Sequence, residues 1–301
     1  MKHETVLLHE AIHALKIKQD GIYVDGTLGG AGHSKCMLNE LKNGFLYAFD
    51  QDQYAIDYAK NVLRDFSNYK IIKSNFRYIK QELNHQNIFE VDGILLDLGL
   101  SSFQIDDELR GFTYLKETTL DMRMDQSQEL TAEMIVNTYT LEELAKIFYL
   151  YGEEKNSFKI AREIILKRPL QTTMDLVKIT DKINRLEKGH SAKRVFQALR
   201  IAVNDELGAL EQVLKDGLEL LKPGGRMVVI TFHSLEDRIV KHYFKEKSTV
   251  SIPKNLPIQH VPEADYELVT TKPIYPTDLE YEQNSRSKSA KMRVIQRRLT
   301  I

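Results

Sequence analysis

The stretch Val24-Asp25-Gly26-Thr27-Leu28-Gly29-Gly30-Ala31-Gly32-His33-Ser34 follows the apolar run Gly21-Ile22-Tyr23-Val24 and places four glycines within seven positions. A helix-like segment comes next, and a second apolar run ends at Asp50, twenty residues after Gly30. Strand, glycine loop, helix, strand and acid is the order in which an α/β sheet holds a nucleoside. The glycines let backbone approach the ligand, and the acid takes the ribose hydroxyls.

The dinucleotide fingerprint is Gly-x-Gly-x-x-Gly. Counted from Gly30 and Gly32, its third glycine falls on Lys35, and counted from Gly26 it fails at Leu28. The loop also opens on an acid, Asp25, which repels a pyrophosphate and suits an ammonium. S-adenosylmethionine has an ammonium, a ribose and no phosphate, so the loop fits it better than NAD. A dinucleotide-dependent oxidoreductase is the rival on the same fold.

Working outward, short apolar runs recur at Ile22–Asp25, Phe45–Asp50, Tyr69–Lys73, Asp92–Asp97 and Arg226–Phe232. The first four are spaced like βα units of a parallel sheet. Helical periodicity fills most of the gap before the fifth, near Thr140, Ile160–Ile165, Leu176–Ile183 and Ala192. The reading is a sheet domain in two parts, 1–106 and 205–301, with a helical substrate domain, 107–204, inserted after the fourth strand. Lys222-Pro223-Gly224-Gly225 reads as a helix stop and turn, and the chain is expected to end in an antiparallel pair near Tyr266–Thr271 and Lys291–Gln296.

The 301 residues carry a net charge of −1 and one cysteine, so no disulfide forms within the chain. Met1 to Lys18 lacks the apolar core of a secretory signal, and no apolar stretch is long enough to span a membrane. A cytoplasmic protein is expected. The charge is uneven. Residues 156–200 hold eleven Lys/Arg against four Asp/Glu, a net of +7 that leaves −8 on the remainder. Residues 284–298 add six basic residues and no acid. Two basic islands on an acidic chain are either a contact for a localised anion or solvated helix faces.

His9-Glu10-Ala11-Ile12-His13 matches the zinc-protease pattern but has no third ligand at a suitable distance, so no metal site is expected. Asp97-Leu98-Gly99-Leu100-Ser101-Ser102 ends the fourth strand, where polar groups meet the reacting atoms of such folds. After the fifth strand comes His233-Ser234-Leu235-Glu236-Asp237-Arg238. Ser234 lacks the glycine-flanked nucleophile elbow and reads as a helix N-cap, with His233 lining the site. Cys36, the only thiol, lies among Met37, Leu38 and Leu41, a poor setting for the nucleophile that C5 methylation of a pyrimidine requires. If the substrate is a pyrimidine, an exocyclic amine or a hydroxyl is then the better target. An amine needs placement and N–H acceptors, for which Asp97, Ser101, Ser102 and His233 are the candidates.

Together these motifs resemble the bacterial 16S rRNA (cytosine-N4) methyltransferases, the MraW or RsmH family. The resemblance runs nearly end to end. Besides the segments quoted, it is carried by Thr5-Val6-Leu7-Leu8-His9-Glu10, Ala48-Phe49-Asp50-Gln51-Asp52, Ser74-Asn75-Phe76 and Arg110-Gly111-Phe112. Leu120-Asp121-Met122-Arg123-Met124-Asp125, Tyr151-Gly152-Glu153-Glu154 and Lys193-Arg194-Val195-Phe196-Gln197-Ala198-Leu199-Arg200 complete it.

It implies a Rossmann-like S-adenosylmethionine-dependent methyltransferase sheet with an inserted helical domain. The implied reaction is methyl transfer to N4 of a cytosine in the decoding (P-site) region of 16S rRNA, within the small ribosomal subunit. By position, Gly30, Ala31, Gly32 and His33 would hold the cofactor with Asp50 at the ribose, Phe76 beside the adenine, and Asp97 and Gln104 completing the site. Lys193, Arg194 and Arg200 of the helical domain and Arg286, Lys288 and Lys291 of the tail would contact RNA. Phe103 and Ser191 stand where the family has proline. A non-catalytic scaffold that binds RNA and S-adenosylmethionine is the second rival, and the oligomeric state stays open, a homodimer included.

Overall fold

The computed structural model describes residues 5–101, 104, 107–186, 188–250 and 263–299. These residues form two units: 1–99 with 209–301, and 100–208. The expected division at 107 and 204 is thus displaced by a few residues at each junction.

The first unit is an α/β sheet. Its elements are α1 (Leu8–Leu15), β1 (Ile22–Asp25), α2 (Gly32–Glu40), β2 (Phe45–Asp50), α3 (Gln53–Val62), β3 (Tyr69–Lys73), α4 (Ile79–His85) and β4 (Val91–Asp97). The strands run in the order β3-β2-β1-β4-β5-β7-β6, with β5 at Leu221–Thr231, β6 at Tyr266–Leu268 and β7 at Lys291–Arg297. All neighbours among β1 to β5 are parallel. The antiparallel β7 lies between β5 and β6. This Rossmann-like order departs from the dinucleotide arrangement where β7 intervenes, and it keeps the switch point between β1 and β4, where such sheets bind ligands.

Alternation along the strands explains why both faces are covered. Tyr23, Ala48, Leu95, Val228 and Val294 pack on the side of α1 and α2, with Leu15 and Leu38. Their neighbours Val24, Phe49, Leu96, Val229 and Ile295 pack on the other, with Leu83 of α4 and Leu214.

The 222–225 turn is not a separate element. It is a bulge inside β5: Val91 pairs with Leu221, and Gly93 already pairs with Arg226. Asp92 opposite the bulge explains it, because its carboxylate accepts from Lys222 Nζ at 2.8 Å and from the Ile22 N–H at 3.0 Å.

The second unit is helical: α5 (Ala132–Thr138), α6 (Leu141–Gly152), α7 (Ser157–Lys167), α8 (Thr173–Ile183) and α9 (Lys193–Asn204). Thr140 with Glu143 and Thr172 with Asp175 form reciprocal capping boxes that start α6 and α8. The motifs around Arg110 and Arg123 are internal staples. Arg110 donates to the carbonyls of Arg123 and Met124, and Arg123 grips Asp121 through two 2.8 Å bonds. Helix α10 (Glu206–Leu220) leads back to β5, and α11 (Ser234–Lys247) and α12 (Asp278–Gln283) complete the sheet unit. No described helix is long and apolar enough to cross a membrane.

Candidate cofactor site at the carboxyl ends of the strands

The carboxyl ends of β1, β2 and β4 each carry an acid, and the three have different environments. Asp25 turns inward. It is 1% exposed, accepting from the Thr27 N–H at 3.1 Å and from Ser34 Oγ at 2.6 Å. Both Asp25 oxygens thus brace the loop and α2.

Asp50 joins the loop to the second strand. Its Oδ2 accepts the Gly29 N–H at 2.9 Å, and Oδ1 accepts the Asp52 N–H at 2.8 Å. Burial pushes its carboxyl up to about 6, against the pull of those two N–H groups. Asp97 is the least satisfied of the three. Its Oδ1 is inaccessible and has no hydrogen-bond partner, while Oδ2 lies 3.6 Å from His33 Nδ1. Burial, with Asp25, Glu236 and Glu280 nearby, raises its carboxyl well above the usual range. Thr27 Oγ1 accepts the Asp97 N–H at 2.7 Å, tying β4's end to the loop after β1.

Two loop residues need the left-handed region: Gly29 at φ 46° and Ala31 at φ 59°. Gly32 is required for another reason. A Cβ there would lie 1.8 Å from Thr5 Oγ1, so the N-terminal segment passes directly over the start of α2. His33 is buried on the first turn of α2. Phe76 follows β3 in a short 3₁₀ turn capped by Asn75. The structure thus gathers Gly30 to His33, Asp50, Phe76 and Asp97 in one unit, beside the switch point.

Gln104 and Ser101 belong to the helical unit, where they bond each other: the Ser101 N–H donates to Gln104 Oε1 and the Gln104 N–H to Ser101 Oγ. Ser102 and Phe103 lie outside the described residues. His9 and His13 are both exposed on α1. Cys36 is partly buried on α2, and burial raises its thiol.

The turn after β5 differs by one residue from the expectation. The N-cap of α11 is His233, not Ser234. His233 Nδ1 accepts the Glu236 N–H, and Glu236 Oε2 accepts the N–H groups of Phe232 and His233. His233 Nε2 sits 3.0 Å from Glu236 Oε1. His233 Nδ1 thus caps α11, while its Nε2 is buried beside the Glu236 carboxylate and makes no hydrogen bond. Glu236 was missed because a histidine cap carries no sequence signature of its own.

The basic islands also change on folding. Arg200 forms two 2.8 Å bonds to Glu206, with the two side chains 15% and 11% exposed. Lys291 and Arg293 both pair with Asp237. Arg297 faces Glu90, and Arg298 faces Glu263 and Glu267. The tail island is therefore largely neutralised by acids distant in sequence. Lys193 and Lys288 are exposed, and Arg194 and Arg286 are half-buried.

A model of the MraW methylase family matches residues 1–298. The chain is 56% identical over 297 residues to ribosomal RNA small subunit methyltransferase H 1 of Acholeplasma laidlawii (strain PG-8A), covering 99% of each chain. It is 53% identical over 292 residues to ribosomal RNA small subunit methyltransferase H of Onion yellows phytoplasma (strain OY-M), covering 97% of this chain and 96% of that one. A relative of the same name from Streptococcus mutans serotype c (strain ATCC 700610 / UA159) is 51% identical over 309 residues, covering 98% and 97%.

Proposed function

The chain belongs to the MraW methylase family, and we propose that it transfers a methyl group from S-adenosylmethionine to N4 of a cytosine in the decoding region of small-subunit rRNA. The observation that carries this reading is Asp97 Oδ1, a buried carboxylate oxygen without a partner beside a loop that Asp50 ties down. A nucleoside with a cationic tail fits both features: a diol for Asp50 and positive charge for Asp97.

The cofactor supplies an electrophilic methyl group on a sulfonium. The chain's own groups do the rest. A cation beside Asp97 offsets the repulsion from Asp25, Glu236 and Glu280 and favours the ionised carboxylate. Ionised Asp97 then accepts an N–H of the cytosine amine, which frees the nitrogen lone pair from the ring, and it is the acceptor for the proton that N4 must lose. The target base has to leave its stack to reach this point. Partly buried Cys36, with its thiol pKa raised, supports an amine over a ring carbon.

The test uses small-subunit particles from cells lacking the protein, incubated with methyl-labelled S-adenosylmethionine. After digestion of the rRNA, the labelled nucleoside is identified by mass. Label on N4 of cytidine is expected. Label on C5, or none, overturns the assignment.

A further inference from the structure

Glu154, of the Tyr151–Glu154 motif, is fully buried in the helical unit and has no ion-pair partner among the described residues. A carboxylate that deep is costly unless hydrogen bonds satisfy it. Its Oε1 accepts the Asn156 N–H at 2.8 Å, and Oε2 accepts from Asn184 Nδ2 at 3.0 Å. Asn184 Nδ2 also donates to the Ser191 carbonyl at 3.1 Å, and Asn156 Nδ2 donates to Asn184 Oδ1 at 2.9 Å. Ser191 Oγ bonds Asp181 and lies 3.1 Å from Thr180 Oγ1, so the serine that replaces the family's proline has a use of its own. His190 stacks on Tyr114 with ring centroids 4.3 Å apart.

The buried carboxylate therefore holds Asn184 at one end of the segment between α8 and α9, and Asn184 in turn holds the Ser191 carbonyl at the other end. Outside this base stand Arg185, Lys188 and Lys193, all exposed. They pair with no carboxylate among the described residues, whereas Lys178 and Lys182 pair with Asp175 and Glu163. Arg168 is taken up by the carbonyls of Val136 and Tyr139, and Arg200 by Glu206. Arg185, Lys188 and Lys193 are thus three of the first island's exposed cations without a carboxylate partner among the described residues, the others being Lys159, Arg162 and Lys167 on α7. A cationic contact fixed in advance loses less entropy when it binds.

We propose that Arg185, Lys188 and Lys193 contact the phosphate backbone of the substrate RNA, with Glu154 as the positioning residue that fixes their segment. The inference rests on the rRNA reading above.

The experiment measures binding of a 16S rRNA transcript by the full chain across a salt series, with S-adenosylmethionine affinity and thermal unfolding measured in parallel. Arg185→Ala with Lys188→Ala is expected to weaken binding and reduce the slope of log K against log salt by about 2, one for each phosphate contact. Glu154→Gln turns one acceptor into a donor facing Asn184 and is expected to weaken RNA binding about tenfold, with cofactor affinity unchanged. Adding Asn184→Asp restores the donor–acceptor match at position 154 but gives up the bond to the Ser191 carbonyl, so it should recover only part of that loss. If the wild type binds with salt dependence and the Arg185/Lys188 variant has the same affinity and slope, this inference fails alone. If Glu154→Gln binds the transcript as tightly as the wild type does, the role of Glu154 fails. If the wild type does not bind the transcript, the rRNA reading fails and takes this inference with it.

Discussion

The Asp50 carboxylate accepts the Gly29 N–H at 2.9 Å across 21 residues of sequence. The acid that ends β2 thereby holds the glycine loop that ends β1, so loop shape and the proposed ribose contact rest on one side chain. Asp50→Ala should leave the sheet folded and weaken S-adenosylmethionine binding by about 10- to 100-fold, the equivalent of one hydrogen bond to a charged group. Equilibrium binding with circular dichroism checks both halves. Unchanged affinity would mean that the ribose lies elsewhere.

Asp50 also predicts a pH dependence. Its carboxyl is raised to about 6 in the folded chain from 3.8. Between those values the folded state binds more protons than the unfolded one, so its contribution to stability falls as pH rises from about 4 to about 6 and is flat above. Cofactor binding runs the other way: the ionised carboxylate is the better acceptor for the ribose hydroxyls, so affinity rises through about pH 6. In Asp50→Asn this component of both dependences should vanish, as measured by titration calorimetry and denaturant melts at several pH values.

Gly32→Ala places a methyl 1.8 Å from Thr5 Oγ1. Either the N-terminal segment or the loop must move, and overpacking of this kind costs about 1–3 kcal/mol. Cofactor affinity should fall by roughly tenfold on that scale. Thr5→Gly in the same chain should restore much of it. No recovery in the double variant would show that Gly32 serves the ligand and not Thr5.

Removing a general base costs about 10²- to 10⁴-fold in rate. His233→Asn keeps a cap acceptor for the Glu236 N–H and should cost far less, with an unaltered pH–rate profile. A loss of two orders of magnitude in kcat would place His233 in the chemistry.

Arg200→Ala strands Glu206 in a largely buried pair. A loss of about 2–4 kcal/mol in unfolding free energy is expected, somewhat below that of a fully buried pair. Arg200→Ala with Glu206→Ala should recover part of it in denaturant melts. The salt slope of RNA binding should not change, whereas a slope reduced by about 1 would put Arg200 on a phosphate.

Much of this site was legible in the sequence because its signals are local. Four glycines after an apolar run, and an acid at the next strand's end, report spacing and period, and these depend on backbone geometry common to all such sheets. The parallel strands, the helical insertion and the positions of Asp50 and Asp97 follow from that. Pairing over long sequence distances was not legible. The Asp237 that neutralises Arg293 lies 56 residues away, and the Asp92 that holds the β5 bulge lies 130 residues from Lys222. Local pattern likewise placed the cap of α11 on Ser234, one residue from the reciprocal pair His233 and Glu236. By itself the sequence determined where acids and glycines meet the sheet's edge. Only the tertiary structure decided which charges remain available, because a charge's availability depends on the partner that folding brings within about 4 Å of it, and strand and helix periodicity carry no record of that partner.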